Sequence, residues 1–527
     1  MPIIQTMSVP GVPIASENTC VPASALVSNP TQFKPNEVVN TTDVAAKMPE
    51  IVLAIPASSN SIIAAISSTS AVSSDGIVLT PEFVFALDKM EAGVGHVLLT
   101  GKAGTGKSTL LGRFRSSTRK KVVVLAPTGI AALNVRGETI HSFFKFKPDV
   151  SLERIKRVSA KRRKEYSVLD AVVIDEASMV RADLFDCVER FLRLNGRDSS
   201  KPFGGVQMIL VGDLYQLPPV VVHQEKEMFR TKYASEFFFD SEAFKQAGFE
   251  KVELEKVYRQ KDAVFLDILN AIRHNSVTDA QLELLNRQYV GVDGSGQEVR
   301  RRMDVTLTTV NRVADEINQR NLDALNGSPM QFAARVQGRL NRDQHPAPEM
   351  LRLKTGAQVM MLNNDPKGRW VNGSMGIVTG FGFYDEGKNV VEVRLESGDE
   401  VDVSPFRWDV SKQVLDPKSN TLKAKSIGSC MQFPMRLAWA LTIHKSQGKT
   451  FDKVRLDLTQ GTFAPGQLYV ALSRCRSLEG LSLAKPVEKR HAMVDERVVK
   501  FMNGSVSTPK TGMGFVAASE LTPINIT

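Results

Sequence analysis

The chain has 527 residues, of which 42% are hydrophobic, so its length allows two or three domains with sizeable cores. Its formal net charge of +10 favours a polyanionic partner, and it contains no apolar run long enough to predict a membrane span. The four cysteines are too far apart for a CxxC zinc half-site or a disulfide framework, so we expect a soluble intracellular protein without a membrane partner.

Two terminal segments, residues 1–76 and 501–527, are predicted to be flexible, disordered tails. The first is rich in Ser, Thr, Ala, Val, Pro and Asn, and Phe33 is its only aromatic residue. The second has glycines and prolines scattered along it. Neither shows the apolar periodicity of a segment that packs against a core.

Between the tails, short apolar runs alternate with amphipathic stretches, which is the pattern of an α/β fold. Four of these runs are typical of strands buried on both faces: 96–100, 121–125, 171–174 and 206–211. Strands of this kind belong in a parallel sheet that is covered by helices. Residues 350–430 differ, because short β-like runs there are separated by Gly, Asn and Asp, and they predict a small inserted β-barrel.

A glycine-rich segment follows the first apolar run and precedes an amphipathic stretch. Its sequence GKAGTGKS fits the pattern GxxxxGK[ST], in which backbone N–H groups and a helix N-terminus bind phosphates. Lys107 is predicted to reach the β- and γ-phosphates, and the Ser108 hydroxyl to bind Mg²⁺. The alternative, a plain glycine-rich turn, does not account for the flanking strand and helix. The predicted ATP-binding residues are Gly101, Ala103, Gly104, Thr105, Gly106, Lys107, Ser108 and Thr109.

Polar side chains follow two further apolar runs. Asp175 and Glu176 come directly after residues 171–174, and Asp213 and Gln216 follow residues 206–211. Ligands bind at the carboxyl ends of parallel strands, so we expect Asp175 to hold Mg²⁺ and Glu176 to polarise the attacking water. Gln216 is positioned to sense the γ-phosphate or to orient that water. The alternative for the acidic pair is an exposed turn that caps the next helix.

Seven sequence blocks carry a family resemblance. They are GKAGTGKST, APTGIAALNVRGETIHSFF, VVIDEASMV, VGDLYQLPPV, VYRQKD, TIHKSQGKTFDKV and YVALSRCRSLEGL. In this order they resemble superfamily-one helicases of the RecD/Pif-one type, over roughly residues 77–485. The resemblance implies two RecA-like domains with parallel sheets, ATP in the cleft between them, and a 5′-to-3′ motor on single-stranded DNA.

The resemblance also implies domain limits. The expected parts are a first RecA-like ATP-binding domain at 77–235 with a basic wedge-like insertion at about 145–166, a second RecA-like domain at 236–349 and 430–500, and an SH3-like β module at 350–429.

Catalytic roles follow from the same blocks. Arg259 and Arg474 resemble the two arginines that reach the γ-phosphate from the second domain, where cations stabilise transition-state charge once the cleft is closed. The alternative for each is a surface ion pair. The expected catalytic set is Lys107, Asp175, Glu176, Gln216, Arg259 and Arg474.

DNA contacts are expected in three regions of the chain. By resemblance they are Pro127, Thr128, Gly129, His141, Ser142, Phe143, Thr309, Asn311, Trp370, Asn372, His444, Lys445 and Gln447. Phe143 or Phe144 is a candidate for stacking on bases, and a place in the core is the equally weighted alternative. The segment 154–164 carries seven cations and no acid, which predicts either a nucleic-acid contact or a solvated face.

One departure from the family pattern concerns the nucleotide base. The family usually has a glutamine shortly before the strand that leads to the phosphate loop, and this side chain reads adenine. Residues 77–92 contain no glutamine, and Phe83 lies near its expected place. The family pattern therefore does not predict adenine selectivity for this chain.

The functional hypothesis is an ATP-dependent 5′-to-3′ DNA helicase with Mg²⁺ as cofactor. Its expected partners are single-stranded DNA and tailed or forked duplexes, with RNA–DNA hybrids and G-quadruplexes as further candidates, and it is expected to work as a monomer. We expect it in the cytoplasm of a bacterial or phage-infected cell, or in a eukaryotic nucleus or mitochondrion, serving replication, repair, recombination or telomere maintenance. Two alternatives stay open: a translocase without processive unwinding, and a nucleotide-gated nucleic-acid clamp.

Overall fold

The computed structural model describes residues 71–72, 78–147, 150–221, 225, 229, 231–260, 262–291, 304–338, 345–383, 389–416 and 421–504. The predicted tails at 1–76 and 501–527 lie almost entirely outside these described residues. In the described part of the chain, no helix is both long and apolar enough to cross a membrane.

The helices of the described residues are short or of moderate length. They are α1 Pro81–Ala92, α2 Lys107–Ser117, α3 Gly129–Asn134, α4 Ile140–Phe144, α5 Ala160–Ser167, α6 Ala182–Asn195, α7 Glu242–Ala247, α8 Ala263–Arg273, α9 Asp279–Asn286, α10 Asn311–Ala324, α11 Gln467–Leu472 and α12 Glu496–Asn503. Their limits have local causes. The Thr80 hydroxyl accepts a hydrogen bond from the backbone N–H of Phe83 and starts α1, and the left-handed Gly93 ends it.

Six parallel strands form the first large sheet. In spatial order they are β5 Glu138–Thr139, β4 Val122–Ala126, β6 Ala171–Ile174, β7 Gln207–Val211, β3 His96–Gly101 and β8 Phe249–Leu254. Alternate residues of one strand face opposite layers: Val97 packs with α1 and α2, and Leu98 packs in the core that contains α6. The sheet therefore has helices on both faces, as the apolar runs predict.

The edge strand β8 corrects one predicted boundary. It pairs with β3 along its whole length, so the first sheet extends to Leu254 and the limit at residue 235 is too early. Its sequence FEKVEL mixes buried residues with the half-buried Glu250 and Glu253, because an edge strand is less enclosed than a central one. The sequence pattern of β8 therefore lacks the continuous apolar run by which the central strands of this sheet are predicted.

A second parallel sheet has four strands. Their spatial order is β20 Ala440–Thr442, β9 Val305–Thr308, β21 Val454–Asp457 and β22 Leu481–Leu483. Helix α10 packs beside β9 and β20, where Asn318 exchanges hydrogen bonds with the backbone of Ala440 at 2.8 and 2.9 Å. Two parallel sheets flanked by helices confirm the predicted α/β class.

Antiparallel strands lie between β9 and β20 in sequence. One sheet has the order β16 Glu400–Val403, β15 Asn389–Leu395, β14 Met375–Phe383, β13 Gln358–Met361 and β19 Met435–Leu437. A second joins β11 Arg335–Gly338 to the long hairpin of β17 Phe406–Asp416 and β18 Thr421–Gln432. A two-stranded ribbon pairs β10 Met330–Ala333 with β12 Met350–Leu353. A separate ribbon near the start of the described residues pairs β1 Ala71–Val72 with β2 Val78–Leu79.

These antiparallel strands also move the limits predicted for the inserted module. The five-stranded sheet ends at Leu437, beyond the predicted limit at residue 429, because β19 closes the sheet against β13 after the long hairpin. Pairing begins earlier as well, since β10 and β11 come before residue 350. The SH3-like form of the module stays a prediction.

The two parallel sheets meet where α11 approaches the loop after β7. Gly466 caps the N-terminus of α11 with φ +75°, and a Cβ at this position would lie 2.5 Å from the carbonyl oxygen of Tyr215. It would also lie 2.6 Å from the carbonyl oxygen of Gln216. Only glycine allows this helix to come so close to the loop.

Replacement of Gly466 by alanine is expected to destabilise the protein more than the same change at Gly461. Both glycines have positive φ, so both variants carry about 1–2 kcal/mol of backbone strain. Only Gly466→Ala adds the steric conflict with the loop after β7, which costs roughly 1–3 kcal/mol more. Urea unfolding of the two variants measures the difference, and equal losses of stability would show that this close approach is absent in solution.

Candidate functional site

A cavity of about 460 Å³ lies at the carboxyl ends of β3, β6 and β7. The phosphate loop, the two carboxylates after β6 and Gln216 line one part of it. Gly448 and Arg474, which come from the loops beyond β20 and α11, line another part. Elements of both parallel sheets therefore build one pocket.

The phosphate loop wraps around its own lysine. Gly101, Gly104 and Gly106 all have positive φ, and a Cβ at Gly104 would lie 2.5 Å from Cβ of Arg259. The Nζ of Lys107 donates to the carbonyl oxygens of Gly101 at 2.6 Å and of residue 102 at 2.8 Å. Burial lowers the pKa of Lys107 although nearby carboxylates oppose the shift. A phosphate that entered here would replace these carbonyl oxygens as the acceptor of a poorly solvated cation.

The two carboxylates after β6 are half-buried and lie beside this lysine. Burial raises the pKa of Asp175, and burial together with Asp175 raises the pKa of Glu176 to about 7. Glu176 has the left-handed backbone φ of 51°, and its Oε2 accepts a hydrogen bond of 3.0 Å from Nε2 of Gln447. A carboxylate with a raised pKa that faces the lysine is suited to accept a proton from water.

Asp213, which follows β7, is the most enclosed of the acids. Its Oδ1 accepts from the Arg273 guanidinium at 3.3 Å, and its Oδ2 accepts from the Tyr469 hydroxyl at 2.9 Å. The Tyr469 oxygen in turn accepts from the backbone N–H of Ala103 at 2.9 Å. Burial alone would raise the pKa of Asp213, but Arg273 and the phosphate-loop lysine hold it below its usual value. Gln216 is weakly bonded to the same carboxylate at 3.4 Å.

Both predicted arginines reach the pocket. Arg474 is 1% exposed, and its guanidinium donates to the Val470 carbonyl at 2.9 Å and to the Ser473 hydroxyl at 2.8 Å. Arg259 donates to the Ser473 carbonyl at 3.4 Å, so the two side chains are neighbours. Burial and Arg259 lower the pKa of Arg474 to about 9. A surface ion pair is therefore a poor description of Arg474.

Two aromatic residues form the part of the cavity wall where the sequence departs from the family pattern. Phe83 and Tyr258 both line the cavity, and Phe83 occupies the stretch where the family has its glutamine. Phe83 is 4% exposed and Tyr258 is 41% exposed. The ring of Tyr258 lies 3.9 Å from a Cβ built on Gly106, next to the start of α2. This wall offers ring faces to a nucleotide base.

The residues predicted to bind Mg²⁺ fit that ion. Ser108 and Asp175 both line the cavity, and no group of three or more His, Cys, Asp or Glu among the described residues could hold a metal without help. Mg²⁺ keeps several waters and takes phosphate oxygens as ligands, so one hydroxyl and one carboxylate suffice as protein ligands.

The first block of predicted DNA contacts lies after β4. Pro127, Thr128 and Gly129 are half-buried, and the Thr128 hydroxyl caps α3 by accepting from a backbone N–H at 3.3 Å. His141 and Ser142 lie in α4, where the Ser142 hydroxyl donates to a buried glutamate at 3.3 Å.

The stacking role expected of Phe143 or Phe144 is not available in this structure. Phe143 is 7% exposed and Phe144 is 1% exposed. Phe143 packs edge-on against Phe144 and Tyr166, with ring centroids 4.9 and 5.6 Å apart. Each ring fills the core beneath the basic segment, so the alternative of a core residue describes them correctly.

The DNA contacts predicted near the second sheet differ in their surroundings, and one of them lies at the nucleotide pocket. Asn311 is exposed at the start of α10, and Thr309 is buried with a hydroxyl that has no hydrogen-bond partner among the described residues. His444 stands nearly parallel to the exposed ring of Phe463. Gln447, by contrast, is bonded to the carboxylate of the nucleotide pocket, so its place is there.

The inserted module presents Asn372 and encloses Trp370. Trp370 is 6% exposed, donates to Oδ1 of Asn363 at 3.0 Å and packs in the core of the module. With the ring enclosed in this core, the expected DNA contact of Trp370 stays a prediction. Asn372 is exposed, and its Oδ1 accepts from Nζ of Lys449 at 2.7 Å.

A second cavity, of about 700 Å³, runs between the first sheet's α3 loop, the module and the second sheet. Lys445, Lys449 and Arg436 line it on one side, and Asn372 and Trp408 line it on the module side. Its cations are close together and partly desolvated, since burial first and Arg436 second lower the pKa of Lys449 to about 8. Such a groove favours a chain of phosphates.

The basic segment 154–164 lies outside both cavities' inner walls. Ile155 and Tyr166 anchor it in the core of the first sheet, and the backbone N–H of Val158 donates to Asn195 at 2.9 Å. Most of its seven cationic side chains are exposed. The geometry keeps both the nucleic-acid contact and the solvated face as interpretations.

Several residues of these sites escape the sequence argument. Tyr469 lies inside the block YVALSR, five positions before an arginine that the pattern does identify. The spacing of the block does not show that its hydroxyl group has a role. Arg273 sits at the end of an ordinary amphipathic helix and has no motif around it. Arg436 and Lys449 gain meaning only from their shared burial.

Known proteins are similar to this chain over most of its length. The family model described as PIF1-like helicase matches residues 84–281, and that of the DNA helicase Pif1 2B domain matches residues 340–381. A relative named ATP-dependent DNA helicase Pif1, from Bdellovibrio bacteriovorus, is 35% identical across 81% of this chain and 92% of the relative. The human ATP-dependent DNA helicase PIF1 is 36% identical across 77% of this chain, which spans 60% of the human protein.

Solved structures agree with these relatives. The structure of Bacteroides sp Pif1 in complex with ADP-AlF4 has a TM-score of 0.72 and 36% identity, covering 81% of this chain and 96% of that one. A structure of Bacteroides Pif1 bound to ssDNA, with the same identity and coverage, has a TM-score of 0.57.

Two substitutions are expected to separate nucleotide binding from hydrolysis. Lys107→Ala should abolish nucleotide binding, because it removes the buried cation that faces the phosphates. Glu176→Gln should bind nucleotide within a few-fold of the wild type but lose roughly 10²–10⁴-fold in turnover, the usual contribution of a general base. Fluorescent-nucleotide titration and single-turnover hydrolysis measure the two effects, with the exposed Glu91→Gln as control. Hydrolysis by Glu176→Gln near the wild-type rate would exclude its role in water activation.

Proposed function

This chain belongs to the PIF1-like helicase family and is an ATP-dependent DNA helicase; we propose that it moves 5′ to 3′ on single-stranded DNA and separates strands by opening and closing one cleft. The movement is driven by ATP hydrolysis in the cavity between the two parallel sheets. DNA passes through the groove lined by Arg436, Lys445 and Lys449.

One observation carries this proposal: a single loop, residues 444–449, borders both cavities. Gln447 donates to Glu176, and Gly448 lines the nucleotide cavity. Lys445 and Lys449, on the same loop, line the groove. A change at the nucleotide therefore reaches the groove through one turn of chain.

The charged residues and Ser108 in the nucleotide cavity have proposed roles. Lys107 neutralises the β- and γ-phosphates, and Glu176 accepts the proton of the attacking water once Gln447 holds its carboxylate in place. Arg259 and Arg474 stabilise the charge that develops on the γ-phosphate. Ser108 and Asp175 would hold Mg²⁺, which supplies charge neutralisation on the phosphate oxygens.

The proposed partners are nucleic acids with a single-stranded region. DNA is the polymer, and the tailed or forked duplex is the substrate that the wedge-like segment 154–164 suits, since its exposed cations can meet a second strand. RNA–DNA hybrids and G-quadruplexes present the same phosphate chain. The proposal also includes that the motor works as a monomer, with one strand in the groove. The limits of the two RecA-like domains and of the module are proposals that rest on the sheets described above.

A translocase without processive unwinding would share all of this machinery. The clamp hypothesis fits less well, because Lys107, Glu176, Arg259 and Arg474 form a complete hydrolytic set around one cavity. Strand displacement therefore decides between the two motor descriptions.

Wild-type protein is expected to displace the partner strand of a 5′-tailed duplex and to leave a 3′-tailed duplex intact. Arg474→Ala should lose about 10³-fold of the DNA-stimulated ATPase rate while nucleotide affinity stays within a few-fold, since its cation acts on the transition state. Arg476→Ala, two residues away with a half-exposed ion pair to Asp452, is the matched control. DNA-stimulated hydrolysis without displacement would identify a translocase, and unaltered stimulation in Arg474→Ala would contradict the two-domain motor.

The affinity for single-stranded DNA is expected to fall as the pH rises from 7 to 9. The pKa of Lys449 is lowered to about 8 in the free protein, and a bound phosphate favours its charged form, so binding is strongest below pH 8 and weakens above it. The loss should approach tenfold at pH 9, where about a tenth of Lys449 is protonated. Fluorescence anisotropy of a labelled oligonucleotide measures the profile.

The matched variants are Lys449→Arg and the exposed Lys485→Arg. Because arginine stays charged throughout this range, Lys449→Arg should flatten the pH profile, whereas Lys485→Arg should leave it unchanged. A profile that is as steep in Lys449→Arg as in the wild type would place the titrating group elsewhere.

A further inference from the structure

We propose that Tyr469 is a positioning residue that fixes Arg474 relative to the phosphate loop, and that hydrolysis depends on its hydroxyl group. The inference rests on the proposed function, because it assigns Tyr469 to the same hydrolytic step. Tyr469 is not among the residues that line the nucleotide cavity, and its proposed action is through Arg474.

The hydroxyl of Tyr469 joins the part of the chain built on the first parallel sheet (the first unit) to the part built on the second (the second unit). It accepts from the backbone N–H of Ala103 at 2.9 Å and donates to Oδ2 of Asp213 at 2.9 Å. Both partners belong to the first unit, one in the phosphate loop and the other after β7. Tyr469 itself lies in α11 of the second unit and is 4% exposed. A buried hydroxyl with one donor and one acceptor partner fixes its helix along two directions.

The acceptor of this hydroxyl is held as a charged group. The guanidinium of Arg273 lies 3.3 Å from Oδ1 of Asp213, and both side chains are buried. A hydrogen bond to a carboxylate is stronger than one to a neutral acceptor. Arg273 therefore strengthens the hold of Asp213 on Tyr469 without contacting the tyrosine oxygen.

The arginine lies just beyond the C-terminus of the same helix and is bonded back to it. The Nε of Arg474 donates to the carbonyl of Val470, one residue after Tyr469, at 2.9 Å. The start of α11 is fixed too, because Gly466 lies against the carbonyl groups of the loop after β7. A rigid path thus runs from the phosphate loop through Tyr469 and one turn of helix to the guanidinium.

Loss of the hydroxyl should affect the reaction more than the binding of nucleotide. A catalytic group that shifts by about 1 Å can cost 10²-fold in rate. We therefore expect Tyr469→Phe to reduce the kcat of DNA-stimulated hydrolysis by about 10- to 100-fold, with KM and nucleotide affinity within about threefold of the wild type. The phenylalanine ring retains the apolar packing of the buried site.

The chain offers a matched control for the loss of a buried hydrogen bond. The Tyr233 hydroxyl donates to Oδ2 of the buried Asp186 at 2.8 Å, and Tyr233 is also 4% exposed. Tyr233→Phe should lower thermal stability as much as Tyr469→Phe does and leave kcat unchanged. A purely structural role of Tyr469 would make the two variants alike in both properties.

A double-mutant cycle tests whether Tyr469 acts through Arg474. The kcat of Tyr469→Phe combined with Arg474→Ala should equal that of Arg474→Ala alone, because the tyrosine has then no arginine to position. Asp213→Asn, which weakens the same hydrogen bond from the other side, should show the same dependence and serves if Tyr469→Phe does not fold. Multiplicative losses in the cycle, or a kcat of Tyr469→Phe equal to that of Tyr233→Phe, would overturn the inference. Wild-type protein without DNA-stimulated hydrolysis would instead contradict the proposed function.

Discussion

The removal of charge from water at the carboxyl ends of the first sheet is the constraint on which the rest of the structure depends. Asp213 and Arg273 are both almost completely buried, and an isolated buried charge would be costly. Each has a partner of opposite sign, and Tyr469 and Ala103 extend the pair to the other unit and to the phosphate loop. The two parallel sheets therefore meet where these buried polar groups find their hydrogen-bond partners.

The same constraint prepares the nucleotide cavity for phosphate. Lys107 is bonded to carbonyl groups of its own loop, and Glu176 to Gln447. Neither arrangement gives the lysine a full counter-charge within bonding distance, so a triphosphate improves its surroundings on entry. Binding then exchanges internal hydrogen bonds of the cleft for stronger ones to the charged phosphates.

Much of the fold and the nucleotide site could be predicted from the sequence, because both depend on local patterns. Apolar runs such as 171–174 are long enough to identify central strands, and Lys107 lies in a loop whose spacing is fixed by phosphate geometry. The edge strand β8 could not be predicted in the same way, because charged residues interrupt its apolar pattern. The burial of Phe143 and Trp370 could not be predicted, because a sequence does not distinguish an exposed ring from a buried one.

The residues that sequence reasoning missed are those whose role comes from distant neighbours. Arg436 and Lys449 are unremarkable cations in sequence. Burial lowers the pKa of both, and Arg436 lowers that of Lys449 further. Gln447 and Lys449 are two residues apart, yet one bonds to the nucleotide carboxylate and the other lines the groove. Because this turn is shared, coupling between the two cavities does not require a long chain of contacts. A displacement of Glu176 acts through its 3.0 Å hydrogen bond to Gln447 on the same turn that bonds Lys449 to Asn372.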